Sequence, residues 1–274
     1  IFEGEIVLYL PDPFTRYFEP EIEQATLKIL RAAGLRVIIL PILGAGRTLI
    51  SKGFLEPAKK HAKKVRDEIA KVDPDGKYPV LGVEPSEIYT LKDEYLDFFP
   101  DDKEMQALND RSYLVDEFLL RINSDSETYV MRIANIAENE IQEKKLIENT
   151  KNKSAQAGSK VSLHGHCYQK ARPPANDGLP VGQEATAVML RTVGYEVEII
   201  PSGCCGMAGS FGYEEEHYEL SMKVGELVLF PEIRKLEGEV PVLAPGTSCR
   251  EQIKNGTEIM AAHPLIYVAS LLPD

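Results

Sequence analysis

The chain has 274 residues, of which 43% are hydrophobic and 27% are charged. These values are typical of a globular protein with a proper core, and they exclude a disordered or membrane-spanning chain. The net charge of −12 argues against a nucleic-acid-binding protein, because no broad basic face is available to neutralise phosphates.

The first half of the chain alternates strand-like and helix-like stretches. The apolar run 6–10 predicts a strand, and it follows Ile1 so closely that we interpret the chain as a segment of a longer polypeptide. Residues 24–34 have helical periodicity that ends at a glycine. Two further strands are predicted at 35–40 and 79–83.

The middle of the chain, residues 101–157, is predicted to be a helical connection. Residues 116–123 and 128–149 have helical periodicity, with many Glu and Lys residues on the outer faces. Residues 151–160 are rich in Lys, Ser, Ala and Gly, which predicts a linker into the second half.

The second half repeats the pattern of the first. Identical residues recur at a constant offset of 160 positions: Ala25 with Ala185, Leu30 with Leu190, Arg31 with Arg191, Gly34 with Gly194 and Pro41 with Pro201. Strands are predicted at 161–163, 195–200 and 240–244. The predicted fold class is therefore α/β, with two tandem pseudo-symmetric βαβ repeats, mostly parallel strands covered by helices, and a helical connection between them. The predicted domains are 1–100, 101–157 and 158–274.

All four cysteines lie in the second half, and each falls in a loop that follows a predicted strand. They are Cys167, Cys204, Cys205 and Cys249. Their counterparts in residues 1–100 are Pro13, Gly44, Ala45 and Glu87, so the first repeat is degenerate and keeps the scaffold without the thiols. Because the carboxyl ends of parallel strands meet at one edge of a sheet, we expect three loops to bring four thiols together.

Four thiolates suit an iron–sulfur cluster or a tetrahedral zinc site. Cys204 and Cys205 are adjacent and hard to join in an unstrained disulfide, but both can ligate a cluster with more than one iron. His164 and His166 alternate ahead of Cys167, so each imidazole is a candidate ligand or hydrogen-bond donor. The alternative is that the cysteines are small buried apolar residues. A dinucleotide site is not predicted, because the glycine-rich loops do not fit the G-x-G-x-x-G pattern.

The run Cys204-Cys205-Gly206 resembles the cysteine-rich CCG domain of heterodisulfide reductases and of the iron–sulfur subunits of glycolate oxidases. The likeness is greatest to the C-terminal part of FAD-linked D-2-hydroxy-acid dehydrogenases, of the D-lactate or D-2-hydroxyglutarate type. The matching runs are 164–167, 202–213 and 246–250, with 14–20 and 51–55 in the first half. The resemblance implies five thiolates in an intact copy. Four positions match and the fifth is Gly246 here, which leaves an ordinary [4Fe–4S] cluster or zinc as alternatives to a five-thiolate cluster.

The resemblance implies the iron–sulfur electron-transfer domain of a flavin-linked 2-hydroxy-acid dehydrogenase or oxidase, which passes electrons from flavin to an acceptor. FAD is then expected on another domain or subunit, and the expected partners are an FAD-binding oxidase part and a ferredoxin-like iron–sulfur part. This chain alone would not be a complete catalyst. Two alternatives are a structural zinc module and heterodisulfide-type thiol chemistry at the metal. We expect a cytoplasmic location, at most peripheral to the inner face of the membrane.

Overall fold

The computed structural model describes residues 5–121, 123, 126–147, 158–175 and 177–273, and for 143–147 the description is confined to the backbone. The chain divides into two compact units. Unit 1 comprises Ile1–Glu23 and Gly34–Val115, and unit 2 comprises Gln24–Ala33 and Asp116–Asp274. Among the described residues, no helix combines the length and the apolar character needed to cross a bilayer.

Unit 1 is built on four parallel strands: β1 (Ile6–Tyr9), β2 (Arg36–Ile39), β3 (Val80–Gly82) and β4 (Ser112–Leu114). The sheet order is β2-β1-β3-β4. Its helices are α1 (Pro13–Tyr17), α3 (Arg47–Ser51), α4 (Leu55–Val72), α5 (Pro85–Lys92), α6 (Glu94–Phe98) and α7 (Lys103–Asp110), together with the first residues of α2 (Pro20–Ala32).

The central strands of unit 1, β1 and β3, form because their side chains are buried on both faces. Val7 and Leu8 of β1 and Val80 and Leu81 of β3 are completely buried, as expected for a parallel sheet covered by helices. Helix α4 buries a stripe of residues three or four positions apart, namely Ala58, Ala62, Val65 and Ile69. Burial of that stripe fixes the face that α4 turns to the core.

Strand β4 lies inside the segment that the sequence predicts to be helical. Ser112 pairs with Val80 and Leu114 with Gly82, which adds a fourth parallel strand to the sheet of unit 1. A three-residue strand is too short to show the alternation by which strands are recognised, and α8 (Val115–Leu119) follows it directly. Tertiary pairing alone decides this element.

Unit 2 is built on three parallel strands: β5 (Lys160–Leu163), β6 (Glu196–Ile199) and β7 (Val242–Leu243). Their order is β6-β5-β7, the same arrangement as β2-β1-β3 in unit 1. The helices besides α8 are α9 (Tyr129–Ile147), α10 (Cys167–Lys170), α11 (Gly182–Thr192), α12 (Glu215–Leu227), α13 (Leu229–Arg234), α14 (Thr247–Thr257) and α15 (Pro264–Ser270). A short 3-10 turn, Phe211–Tyr213, precedes α12.

Helix α2 continues into unit 2 from Gln24 onward. The ammonium group of Lys28 donates a hydrogen bond to the carbonyl oxygen of Leu272 at 3.0 Å. The guanidinium of Arg132 donates to the carbonyl oxygen of Ala33, the residue after α2, at 3.1 Å. The C-terminal part of this helix is therefore held by residues that lie far along the chain.

Helices α12 and α14 are packed closely around one aromatic ring. Phe230 of α13 is completely buried, and a Cβ atom added to Gly225 or to Gly256 would lie 2.3 Å from a carbon of its ring. The absence of side chains at these two glycines therefore lets both helices approach Phe230. This packing matters because α12 and α14 carry residues that contact the cysteine loops.

The α/β class with two sheets of parallel strands is confirmed. In the predicted connection, α8 ends at Leu119 rather than at 123, and α9 covers most of the predicted helix 128–149. The end of that prediction at 148–149, and the predicted linker 151–157, lie outside the described residues.

Candidate metal centre

Three loops at the carboxyl edge of the sheet in unit 2 carry the four cysteines. Cys167 follows β5 and begins α10, Cys204 and Cys205 follow β6, and Cys249 lies in the first turn of α14 after β7. The strands are parallel, so these loops leave the sheet at the same edge. We call Cys167, Cys204, Cys205 and Cys249 together the four-cysteine site.

The structure brings the four thiols together in a chain of contacts. Cys167 interacts with Cys204, Cys204 with Cys205, and Cys205 with Cys249 through their sulfur atoms. Cys205 and Cys249 are buried, whereas Cys167 and Cys204 are half-buried. One side of the site therefore lies close to solvent and the other lies in the core.

Contacts between the sulfur atoms shift the pKa values of neighbouring thiols in opposite directions. The hydrogen bond with Cys204 raises the pKa of Cys167, and burial adds to it. The pKa of Cys205 is raised by its hydrogen bonds with the sulfur atoms on either side. These bonds lower the pKa of Cys204 and of Cys249, although burial opposes both changes. The four thiols therefore do not titrate independently of one another.

Backbone groups add further stabilisation of negative charge on sulfur. The N–H of Gly206 donates to Sγ of Cys204 at 3.3 Å. Cys249 lies in the first turn of the 11-residue helix α14, where the helix dipole favours an anion. Such donors stabilise bound thiolates and adjust the reduction potential of a metal centre.

The loop of the paired cysteines is held by α12 and α14. Gly206 has φ +100°, and a Cβ atom there would lie 2.1 Å from the carbonyl oxygen of Ser221. The hydroxyl of Ser221 donates to the carbonyl oxygen of Gly206 at 2.9 Å, and the amide of Gln252 donates to the carbonyl oxygen of Ser221 at 3.2 Å. Only glycine fits this turn.

The start of α10, which positions Cys167, is tied to the interior by buried polar groups. The N–H of His166 donates to Oε1 of Gln169 at 3.1 Å, and the amide of Gln169 donates to Oγ1 of Thr186 at 3.0 Å. Thr186 in turn donates to the carboxylate of Asp116. The chain of contacts fixes the first turn of α10 against α11 and α8.

The two predicted histidines differ in their surroundings. Nδ1 of His166 accepts a hydrogen bond from the N–H of Tyr168 at 3.2 Å and lies 3.9 Å from Sγ of Cys167. His164 is completely buried, with Nδ1 2.8 Å from the hydroxyl of Ser202. Its Nε2 is buried without a hydrogen-bond partner among the described residues, which is the kind of orphaned atom that a bound group would face.

Gly246 stands where the resemblance places a fifth cysteine. A Cβ atom on Gly246 would lie 3.4 Å from Sγ of Cys249 but only 2.5 Å from a ring carbon of His166. The imidazole of His166 therefore occupies the space that a side chain at position 246 would need. This contact supports a set of four thiolates rather than five.

A cation that the sequence analysis did not single out lies beside the site. Nζ of Lys170 donates to the carbonyl oxygens of Ser202 at 2.5 Å and of Gly203 at 3.0 Å. Burial lowers the pKa of Lys170, and all four nearby thiols oppose that effect. The spacing in the sequence is a signal by which Lys170 could have been found, because a residue three positions after Cys167 lies on the same face of a helix as Cys167.

The spacing of the sulfur atoms bears on the choice of metal. A tetrahedral zinc site with Zn–S distances near 2.3 Å places its sulfurs about 3.8 Å apart. Among the described residues, the one group with three His, Cys, Asp or Glu ligand atoms all within 4.8 Å of one another is Glu214, Glu216 and His217, which contains no cysteine. No three of the four cysteine sulfur atoms form such a group.

Buried carboxyl groups, rather than thiols, occupy the equivalent loops of unit 1. Asp12 follows β1, and Glu84 and Glu87 follow β3; all three are buried. The N–H of Ala45 donates to the carboxylate of Glu87, and Oε2 of Glu87 would lie 3.4 Å from a Cβ atom at Gly44. A carboxyl group therefore fills the space next to the glycine loop.

Burial keeps these carboxyl groups protonated at higher pH than usual. Burial raises the pKa of Glu87 to about 7. The N–H of Ala45 opposes this shift, and the charges of Asp12 and Glu84 add to it. Burial and then the charge of Glu84 raise the pKa of Asp12 to about 6. The folded state therefore holds protons that an unfolded chain would release near pH 4.

We expect the free energy of unfolding to fall as the pH rises from about 4.5 to about 7, because the folded state binds more protons there than the unfolded state. Replacing Glu87 by Gln, whose amide oxygen can still accept from Ala45, should remove the contribution of this group. The variant should gain stability over the parent protein, on the order of 3 kcal/mol by pH 8. Urea unfolding at pH 5 and pH 8 measures this difference.

The matched control is Glu56→Gln, since the side chain of Glu56 is 78% exposed. If the free energy of unfolding depends on pH in the same way in Glu87→Gln and in Glu56→Gln, the protonated state of Glu87 in the folded protein is refuted.

No family model matches the chain. The chain is 27% identical over 267 residues to the D-2-hydroxyglutarate dehydrogenase of Pantoea ananatis, and 26% identical over 264 residues to that of Escherichia coli K12. These alignments cover 97% and 96% of this chain but only 22% of each relative. It is also 24% identical over 262 residues to one subunit of the anaerobic glycerol-3-phosphate dehydrogenase of E. coli K12, covering 94% of this chain and 57% of that subunit. Nearly the whole chain is thus similar to parts of longer dehydrogenase proteins.

Proposed function

We propose that this chain is the iron–sulfur electron-transfer part of a flavin-linked 2-hydroxy-acid dehydrogenase. The observation that carries the proposal is the contact between four thiols from three separate loops at one sheet edge. Similarity to two D-2-hydroxyglutarate dehydrogenases over almost the whole chain supports the oxidoreductase class. Since the chain spans 22% of the length of those relatives, the flavin and the hydroxy-acid site would lie on another part or subunit.

The donor set fits an iron–sulfur cluster in charge and in number. Cys167, Cys204, Cys205 and Cys249 would hold it, and a [4Fe–4S] cluster would supply reversible one-electron transfer when bound. Cys204 and Cys249 already favour the thiolate form that metal ligation requires. No three of these sulfur atoms lie within 4.8 Å of one another, which supports a cluster over a single zinc ion.

The surroundings of the four-cysteine site fit electron transfer to and from a partner. Cys205 and Cys249 are shielded by the core, whereas Cys167 and Cys204 are half-buried at the outer side. Lys170 places a positive charge next to the thiols. A cation at this place stabilises the extra negative charge of a reduced centre, and the half-buried side leaves a route by which electrons can enter and leave.

Anaerobic purification followed by iron and sulfide analysis tests the proposal. We expect iron and acid-labile sulfide in equal amounts, about four of each per chain, and visible absorption that bleaches reversibly with dithionite. Folded protein that contains stoichiometric zinc and does not bleach would instead indicate a structural zinc module. Protein that takes up neither metal under reducing reconstitution would refute the metal centre.

A further inference from the structure

The protonation of His164 decides what this side chain can offer to the four-cysteine site. Its imidazole lies beside Cys249. The pKa of Cys249 is lowered chiefly by the hydrogen bond with Cys205; burial opposes this effect, and the imidazole of His164 adds to it. Nδ1 contacts Ser202, and Nε2 meets no hydrogen-bond geometry with any described residue. A proton on Nε2 makes this atom a donor to sulfur, whereas a proton on Nδ1 leaves a lone pair on Nε2 that could ligate metal.

Lys170 restricts the role that the hydroxyl of Ser202 can play. An ammonium group has three N–H donors and no acceptor. Nζ of Lys170 has three oxygen partners: the carbonyl oxygens of Ser202 and Gly203, at 2.5 and 3.0 Å, and Oγ of Ser202 at 3.4 Å. Oγ can therefore only accept from Lys170, and its own hydrogen must be directed elsewhere.

That hydrogen has one acceptor within reach among the described residues. The hydrogen bonds of the Ser202 hydroxyl join it to Nζ of Lys170 and to Nδ1 of His164. If Nδ1 carried the proton, the buried hydroxyl would face two donors and its hydrogen would have no acceptor in this set. If Nδ1 is bare, it accepts the hydrogen of the Ser202 hydroxyl, and both Nδ1 and this hydroxyl are satisfied.

We propose that Lys170 and Ser202 hold His164 as the tautomer with its proton on Nε2, so that Nε2, which has no partner among the described residues, is a donor to a group bound at the four-cysteine site and does not ligate metal. Lys170 and Ser202 are positioning residues that act through His164. The role of this donor at a cluster depends on the function proposed above, but the tautomer itself does not. An N–H directed at a ligating sulfur stabilises the reduced state and raises the reduction potential.

Redox titration of the iron-loaded chain tests the effect of the donor. In Ser202→Ala, Nδ1 of His164 loses its fixed partner. We expect the equilibrium constant for reduction by a mediator to fall roughly tenfold, which lowers the reduction potential by about 59 mV for one electron. Iron content should be unchanged. Ser202→Thr, which keeps the hydroxyl, should restore the potential to within twofold of the parent equilibrium.

Two further variants separate the donor role from a general disturbance of the loop and from metal ligation. Ser210→Ala is the matched control, because Ser210 lies in the same loop and its side chain makes no capping hydrogen bond; its potential should equal that of the parent protein. His164→Gln should keep its iron, since a donor is not needed to hold the metal. Loss of iron in His164→Gln would make His164 a ligand and overturn the proposal.

The tautomer is measured directly by NMR of the chain labelled with 15N-histidine. The expected result is a protonated Nε2 and an unprotonated Nδ1 at His164, and a proton on Nδ1 overturns the proposal. An unchanged potential in Ser202→Ala also overturns it. Should the parent protein bind no iron, the proposed function fails while the NMR measurement still decides the tautomer.

Discussion

Replacing Gly206 by Ala is expected to destabilise unit 2 by about 3 kcal/mol or more and to remove most of the bound iron. The backbone at Gly206 has φ +100°, a conformation that residues with a Cβ rarely adopt. The added Cβ would lie 2.1 Å from the carbonyl oxygen of Ser221, which is backbone of α12 and cannot rotate away. Either the loop or the helix must move, and Cys204 and Cys205 move with the loop.

Gly209→Ala is the matched control for this variant. Gly209 lies in the same loop with φ +69°, and no atom lies within 4 Å of a Cβ atom built there. We expect this substitution to cost about 1 kcal/mol from backbone strain alone and to leave the iron content unchanged. Thermal unfolding and iron analysis of both variants give the comparison. Equal behaviour of the two would show that the contact with Ser221 does not hold the cysteine loop.

Replacing Cys249 by Ser is expected to lower the iron content at least tenfold. Cys249 is buried, and its sulfur contacts that of Cys205. A serine hydroxyl stays protonated at neutral pH and is a harder, weaker ligand for iron than a thiolate. The loss of iron should therefore be larger than the small destabilisation from burying a hydroxyl in place of a thiol could cause.

Ser248→Ala, at the neighbouring position of α14, controls for disturbance of the helix. Its iron content and its dithionite bleaching should match those of the parent protein. Cys204→Ser at the half-buried side should lose iron as Cys249→Ser does, because both sulfurs belong to the same set. Full retention of iron by both cysteine variants would contradict the assignment of the four-cysteine site.

Much of the framework could be predicted from local sequence. The strands at 6–10, 35–40 and 195–200 are stretches rich in apolar residues and followed by proline, and hydrophobic patterning is a local property. The repeat at an offset of 160 residues predicts that both halves share one strand order, and the orders β2-β1-β3 and β6-β5-β7 agree with it. The position of each cysteine after a strand follows from the same pattern.

The contacts around the site could not be predicted in this way. Lys170 and Ser202 are separated by 32 residues, and their hydrogen bonds exist only because two loops meet at the sheet edge. Nothing in the composition of unit 1 predicts that Asp12 and Glu87 are buried, because acidic residues are usually exposed. Strand β4 has three residues, too few for any periodicity to be visible.

The sequence by itself determined the α/β class, the repeat and the loops on which the thiols lie, because each of these depends on residues that are neighbours along the chain. The tertiary structure alone decided which cysteines contact one another, which nitrogen of His164 lies against Ser202, and where the carboxyl groups of unit 1 lie. These properties depend on burial and on hydrogen-bond partners from distant segments, and both come into being only when the parallel strands bring their loops to a common edge.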